Sequence, residues 1–173
     1  YAASDISGLG KEAISVSSGA ISVAQANTLN AATSGVITAT ISDGAISTLS
    51  GLTEAGNAYT ITVTDTSVSA SALSALAAKT TVAVNASAAT SVTGSAADLI
   101  ALYTASDISG LGNEAISVSE TISVANANTI SGLTTGVVTS NLTSGNLASF
   151  SALSGTGNAY TITVTDTSVS ASA

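Results

Sequence analysis

The sequence contains no cysteine, histidine, methionine, tryptophan, proline or arginine. Without cysteine and histidine, zinc fingers, iron–sulfur sites, disulfide scaffolds and thiol catalysis are excluded, and so is general-base catalysis by imidazole. Lys11 and Lys79 are the only basic residues against ten acidic ones, which gives a net charge of −8. Such a chain cannot neutralise a phosphate backbone or an anionic membrane surface. We therefore expect no nucleic acid and no membrane surface as a partner.

Long apolar runs are absent as well, because Ser, Thr, Asn and Gly interrupt every apolar stretch. No window approaches the roughly 18–20 apolar residues that a membrane-spanning helix needs, so we expect no membrane insertion. Ala, Ser and Thr make up 90 of the 173 residues. Disordered segments lack apolar β-branched residues, whereas Ile and Val recur in alternation with Ser and Thr here. The composition predicts a folded, unreactive structural protein and not an enzyme.

Two internal repeats organise the chain. Residues 1–18 return with few changes as residues 103–120, and residues 57–72 (NAYTITVTDTSVSASA) return letter for letter as residues 158–173. The long repeat therefore covers residues 1–102, and residues 103–173 form a partial second copy. We expect a single repeat array over residues 1–173, and we expect both ends of this sequence to fall inside a repeat of a longer array.

A shorter period lies inside the long repeat, because strand-like segments recur roughly every 22–24 residues with one longer interval. In YTITVT, Tyr59, Ile61 and Val63 face one way and the threonines between them face the other. This pattern predicts an all-β fold, a right-handed parallel β-solenoid of about seven coils. The long interval contains AADLIALY, which predicts one short helical or loop insertion near residues 94–106. An antiparallel sandwich is the competing fold.

Three segments, SDISGLGNEAISVS, TVAVNASAATSVTGSAADLIALYTA and YTITVTDTSVSASALSAL, carry a resemblance to a known group of proteins. They resemble the β-strand tandem-repeat regions of very long bacterial cell-surface or adhesin-like proteins, especially cyanobacterial and marine ones. The resemblance covers the whole chain and implies an extracellular or cell-surface location, but it carries over no functional residues. The expected function is that of a structural and interaction protein, a repeat segment of an extracellular shaft, sheath or filament that could also adhere. A phage fibre shaft is an alternative.

Outward-facing threonines form the one candidate binding face. Flat TxT ladders on solenoids are the arrangement that ice-binding proteins use, so a module that binds ice or glycans is an alternative function. The rows are irregular, however, and Thr suits any exposed strand position. The candidate residues are Thr38, Thr40, Thr60, Thr62, Thr64, Thr161, Thr163 and Thr165.

The acidic residues are too widely spaced to predict a metal site. Asp5 and Asp107 recur once in about four coils, so they would lie about 19 Å apart at about 4.8 Å per coil. Calcium needs six to eight oxygens at about 2.3–2.6 Å, and the RTX calcium motif is absent. We expect solvated turn residues, with Asp65 and Asp166 capping or bending their turns. Calcium stays an alternative, and no catalytic residue, metal site or other cofactor is predicted.

The repeat pattern also predicts self-association. A stack cut inside a repeat exposes unpaired backbone N–H and C=O groups and an apolar ladder at each end. Natural arrays protect such ends with caps, but the segments YAASDISGLG and TVTDTSVSASA are bare. After residue 72 the first copy continues into LSALAAKTTVAV, so another chain can supply a nearly matching surface. We therefore expect chains to stack head to tail into filaments, a contact that does not close.

Overall fold

The computed structural model describes residues 10–170, which form short helices and short strands in alternation. The elements are β1 (Ile14–Ser15), α1 (Val23–Ala32), β2 (Ile37–Thr40), α2 (Ile46–Leu49), β3 (Ala58–Thr60), β4 (Ser67–Ser69), α3 (Ala70–Ala77), β5 (Val84–Asn85), β6 (Ser91–Gly94), α4 (Ala96–Thr104), β7 (Ile108–Ser109), β8 (Ala115–Ile122), α5 (Val124–Ser131), β9 (Val138–Leu142), α6 (Leu147–Phe150) and β10 (Ala159–Thr161). None of these helices is long and apolar enough to cross a membrane.

The prediction of an all-β solenoid is wrong, because the described residues form a mixed α/β structure with six helices. Parallel strands cannot be joined by tight hairpins, and their crossover connections commonly contain a helix. In α1, Ser22 and Gln25 form a capping box that starts the helix and satisfies its first N–H groups. Only Val23 and Ala26 of α1 are buried, so the helix leaves almost no apolar periodicity in the sequence.

The segment near residues 94–106 was predicted to be a short helical or loop insertion. It is helical, but it does not protrude as an insertion. Residues 96–104 form α4, whose Ala96, Leu99 and Leu102 are buried at helical spacing. The apolar stripe therefore belongs to a packed core. The long interval arises because the sequence pattern did not show β7, in which Ile108 lies opposite Val84 of β5.

The strands divide between two compact units, which are described separately. The first unit comprises residues 10–66, 72–89 and 105–110, and holds a sheet in the order β1-β2-β3 and the pair β5-β7. The second unit comprises residues 67–71, 90–104 and 111–170, and holds a five-stranded sheet in the order β4-β6-β8-β9-β10. All of these pairings are parallel. Fully buried Ile37, Leu49 and Ile61 mark the core of the first unit, and Leu99 and Ile130 mark that of the second.

In each unit, one asparagine side chain ties a strand to the segment that precedes it. Asn57 Oδ1 accepts a hydrogen bond from the Ile37 N–H at 2.8 Å, and its Nδ2 donates to Asn30 at 3.0 Å. In the second unit, Asn158 accepts from the Val138 N–H at 2.9 Å and donates to Ser131 at 2.8 Å. Because a buried backbone N–H must be paired, these amides fix the register of neighbouring strands. The long sequence repeat is thus also a repeat of hydrogen bonds.

Candidate functional site

The strands β3 and β10 have the same sequence and the same arrangement on one side. In the first unit, β3 pairs with β2, and Thr60 lies opposite Thr40. In the second unit, β10 pairs with β9, and Thr161 lies opposite Asn141. A Gly-Asn turn precedes both strands, and Gly56 and Gly157 adopt φ values of 90° and 77°, which favour glycine. The two copies therefore enter their sheets in the same way.

The first copy of the repeated sequence, residues 57–64, has β2 along one edge. Its other edge is covered by residues 80–85, which follow it in the chain. The Thr80 hydroxyl accepts a hydrogen bond from the Tyr59 N–H at 3.0 Å and donates to the Tyr59 carbonyl at 2.7 Å. The Asn85 carbonyl accepts from the Val63 N–H at 2.8 Å, and the Asn85 N–H donates to the Ile61 carbonyl at 3.0 Å. Tyr59, Ile61 and Val63 are consequently at most 2% exposed.

In the second copy, the corresponding side is open to solvent. β10 is an edge strand of its five-stranded sheet. Ile162 and Val164, the counterparts of Ile61 and Val63, are 42% and 41% exposed. Exposed side chains of this size beside an unpaired strand edge are the combination that natural proteins usually avoid. The same eight-residue sequence, NAYTITVT, therefore forms a core strand in one unit and an open edge in the other.

The helices that precede the two copies, α2 and α6, differ in the same way. In the first unit, Ile46 of α2 and Leu76 of α3 line the same small cavity, with a volume of about 110 Å³. In the second unit, α6 lines a larger depression of about 450 Å³, and Leu147, the counterpart of Ile46, is 39% exposed. Leu147, Ala148, Phe150 and Ser151 line this depression.

These two regions adjoin, because Gly145, just before α6, pairs with Val164. We call them together the open face. It consists of Leu147, Phe150, Tyr160, Ile162 and Val164. Sequence reasoning anticipated an exposed apolar end but named none of these residues, since the letters of residues 158–165 are those of a buried strand.

Buried threonine hydroxyls are a second feature that sequence reasoning missed. Thr33 donates to the carbonyl of Glu12 at 2.7 Å, and Thr134 donates to the carbonyl of Glu114 at 2.7 Å. With Thr80, they are between 5% and 9% exposed, and each clamps its segment to the preceding one. The available signal was their position three or four residues before a strand.

The predicted threonine face is exposed but does not form a regular ladder. All eight candidate side chains are exposed, five in the first unit and three in the second. Across adjacent strands, Thr40 lies opposite Thr60. The other paired positions have different neighbours: Thr38 lies opposite Ala58, Thr62 opposite Asn85 and Thr161 opposite Asn141. Thr64 and Thr165 donate their N–H groups to glycine carbonyls, and Thr163 has an exposed side chain.

The acidic side chains hold helix starts. Asp43, Asp65 and Asp166 accept hydrogen bonds of 2.7, 2.7 and 2.6 Å from the first N–H groups of α1, α2 and α6. These N–H groups have no partner within their own helices, and a carboxylate there also interacts favourably with the helix dipole. Within residues 10–170, no three acidic side chains form a cluster that could hold a metal ion. Asp5 lies outside the described residues.

Among the acidic residues that the structure describes, Glu114 is the most deeply buried and is 1% exposed. Its Oε2 accepts hydrogen bonds from the Tyr103 hydroxyl at 2.9 Å and the Gly112 N–H at 2.8 Å, and its Oε1 is buried without a partner. Burial, together with the hydrogen bond to Glu114, raises the pKa of Tyr103 far above its usual value. In the first unit, Glu12 accepts from the Gly10 N–H at 2.6 Å, which lowers the pKa of Glu12. Both acids brace the turn before a strand.

A polar depression of about 300 Å³ lies in the first unit, and Glu54 is the only ionisable residue that lines it. A single carboxyl without an acidic, basic or nucleophilic neighbour gives no arrangement for acid–base catalysis. The open face is therefore the candidate functional site, as a surface for association. No family model matches this chain, and neither a curated protein nor a solved structure shows significant similarity to it.

Proposed function

We propose that this chain is a structural and interaction protein, a repeat segment that associates with further copies in an extracellular bacterial shaft, sheath or filament. The observation that carries the proposal is the open face, where a sequence that is buried in the first unit is exposed in the second. Covering it would contribute somewhat less than half of the about 1.5–3 kcal/mol that full burial of an exposed Ile or Val side chain contributes, because Ile162 and Val164 are 42% and 41% exposed.

The strand edge of the open face lacks the features that usually prevent association. Natural edge strands carry lysine, proline or a bulge, whereas residues 158–165 contain no charged residue and no proline. A parallel neighbour would pair with the Val164 N–H and the Ile162 carbonyl, as Asn85 pairs with Val63 and Ile61. The edge is thus a template for a further strand.

Head-to-tail association is the arrangement that these edges favour. In the first unit, β1 is an edge strand of its own sheet, and Ile14 is only partly buried. Contact between β1 of one molecule and β10 of another joins two different surfaces. A heterologous contact gives a ring where its rotation closes and a filament where it does not, and the filament is the form that we propose.

The composition supports a role outside the cell and sets the conditions for assembly. Without cysteine, the stability of the chain does not depend on the redox state of its compartment. The net charge of −8 keeps single chains soluble, but it also makes them repel one another. Salt screens this repulsion over about 8 Å at physiological ionic strength, so assembly should be stronger in salt than in dilute buffer.

The test is a concentration series followed by light scattering and electron microscopy at physiological ionic strength. We expect the wild-type chain to form filaments, and Ile162→Asn to remain monomeric because it places an amide on the open face. Thr163→Asn is the matched control, since Thr163 is exposed and outside the open face, and it should assemble like the wild type. Monomeric wild-type chains at high concentration, with circular dichroism showing intact secondary structure, would contradict the proposed function.

A further inference from the structure

The polar depression of the first unit lies beside the turn that precedes β3. Asn30 and Glu54 line it, together with Ser34 and the side chain of Val36, which is 49% exposed. Its volume of about 300 Å³ is at the lower end of the range of about 300–1,000 Å³ that small-molecule sites span. The depression therefore has room for one small molecule. None of the eight candidate threonines lines it.

The lining presents hydrogen-bonding groups that the fold leaves unused. Asn30 Oδ1 accepts the hydrogen bond from Asn57 at 3.0 Å, which leaves the two N–H bonds of the Asn30 amide as donors. In the part of the chain that the structure describes, neither these N–H groups nor the Glu54 carboxylate has a hydrogen-bond or ion-pair partner. The Ser34 hydroxyl donates to the Gly10 carbonyl at 3.1 Å, and its lone pairs can still accept. A ligand in the depression therefore meets donors and acceptors side by side.

The second copy of the repeat has different residues at the counterpart positions. Asn30 corresponds to Ser131, and Glu54 corresponds to Gly155. Ser131 accepts from Asn158 at 2.8 Å, so the fold of the repeat does not require an amide at this position. A Cβ at Gly155 would overlap Ser131 Oγ, so position 155 has no room for a side chain like that of Glu54. The combination of an amide and a carboxylate is thus specific to the first copy.

The chemistry of the lining excludes several classes of ligand. Glu54 is the only ionisable residue there, so it would repel an anion. Calcium needs six to eight oxygens, and one carboxylate beside one amide supplies too few. An apolar molecule would bury the polar groups of Asn30 and Glu54 without partners, which is unfavourable. An alkylammonium ion would pair with Glu54, but it has only donors, so it would leave the N–H groups of Asn30 without an acceptor.

We propose that this depression binds one neutral sugar residue through two vicinal hydroxyl groups. A hydroxyl both donates and accepts, so one hydroxyl can donate to the Glu54 carboxylate while it accepts from the Asn30 amide. Its neighbour on the ring can donate to Ser34 Oγ. The exposed Val36 side chain provides the apolar contact for the C–H groups of the ring. Sugar binding at this site goes beyond the proposed structural function and does not depend on association between chains.

The experiment titrates the full chain with the methyl glycosides of glucose, galactose and mannose in the millimolar range. Backbone amide signals are followed by NMR below the association concentration. We expect at least one glycoside to shift the signals of residues 34–36 and 54–57 and to leave the counterpart residues 135–137 and 155–158 unchanged. A signal set that none of the three glycosides shifts in residues 34–36 and 54–57 would overturn the proposal.

Two variants test the hydrogen bonds. Asn30→Ser introduces the residue that the second copy carries at this position, and Glu54→Gln keeps the size of the side chain. Each should weaken binding by about tenfold, because each removes or weakens one hydrogen bond to the sugar. Asp107→Asn is the matched control, since it removes an exposed charge of the same unit outside the depression, and it should bind like the wild type. Wild-type affinity in both Asn30→Ser and Glu54→Gln would overturn the proposal.

Two further probes separate the sugar hydroxyls from other sources of binding. The fully O-methylated glycoside keeps the ring but has no hydroxyl donor, and butylammonium has a positive charge and no acceptor. Both should bind at least about tenfold more weakly than the best glycoside. The proposal is overturned if either probe binds residues 34–36 and 54–57 as tightly as that glycoside does. Filament formation is measured separately, so none of these results decides the proposed function.

Discussion

Ile61 and Ile162 occupy the same position of an identical 16-residue sequence, yet Ile61 is 1% exposed and Ile162 is 42% exposed. The difference arises from what lies beside them. Asn85 donates its N–H to the Ile61 carbonyl, whereas Ile162 follows an edge strand. The conformation of each copy comes from its own sequence and preceding strand, and its burial comes from the segment that follows.

The first prediction compares asparagine substitutions at these two positions. Ile61→Asn should lower the free energy of unfolding by about 3 kcal/mol or more, since it removes a buried side chain and buries an amide in its place. Ile162→Asn should cost less than about 1 kcal/mol in the monomer, because the side chain is already half in water. Urea unfolding at low protein concentration measures both. Equal losses would contradict the assignment of buried and open copies.

The second prediction concerns a close backbone approach at Gly136. A Cβ at this position would overlap the carbonyl of Glu114 in the preceding segment. Gly136→Ala should therefore destabilise the chain by about 1–3 kcal/mol, because backbone atoms would have to move. Gly132→Ala is the control, since its Cβ would meet only ordinary contacts at 3.4 and 3.6 Å. Thermal unfolding should show a lower melting temperature for Gly136→Ala alone, and equal melting temperatures would argue against this packing.

The third prediction is a loss of stability at alkaline pH through Tyr103. Burial and the hydrogen bond to Glu114 raise the pKa of Tyr103 in the folded chain, whereas an unfolded tyrosine ionises near pH 10. This contribution is therefore fully present below about pH 10 and is lost as the pH rises further. Tyr103→Phe should reduce the alkaline step, to which Tyr59 and Tyr160 also contribute because burial raises their pKa values. By leaving Glu114 short of a donor, it should also cost about 1–3 kcal/mol at neutral pH. Urea unfolding between pH 7 and 11 measures this, and an unchanged alkaline step in Tyr103→Phe would refute the assignment.

The fourth prediction concerns acid and Glu12. The N–H groups of Gly10 and Lys11 donate to its carboxylate and lower its pKa below 4.5. A lowered folded-state pKa stabilises the chain above the unfolded value, and this contribution is lost as the pH falls through the folded value. Glu12→Gln should flatten the pH dependence of the unfolding free energy below about pH 4.5. An acid slope as steep as that of the wild type would show that Glu12 does not contribute.

Some of the fold could be predicted from the sequence because strand patterns are local. Ile37, Ala39 and Ile41 are buried and alternate with exposed Thr38 and Thr40, and this period of two is visible in the letters. The other helices were missed for an equally local reason, whereas AADLIALY, predicted as a helical or loop segment, forms α4. α2 and α6 have four residues each, too few to show a helical period. The capping box of Ser22 and Gln25 was a further readable helix signal.

The candidate site was harder to predict because it depends on contacts between distant segments. The letters of Ile162 and Val164 are those of buried Ile61 and Val63, and only the absence of a covering strand distinguishes them. Likewise, the buried Thr80, which clamps Tyr59 through two hydrogen bonds, differs from the exposed Thr62 in the sequence only by its position four residues before a strand. Repetition indicated that an open end should exist, but only the structure identified its residues.

The central claim is that residues 159–165 form an open edge that other copies of the repeat cover. The most direct test follows hydrogen exchange of residues 159–165 and residues 58–64 in the wild-type chain across a concentration series. At low concentration, residues 159–165 should exchange fast and residues 58–64 slowly. As filaments form, exchange in residues 159–165 should slow toward that of residues 58–64. Slow exchange in both copies at every concentration, or fast exchange in residues 159–165 within assembled filaments, would contradict the claim.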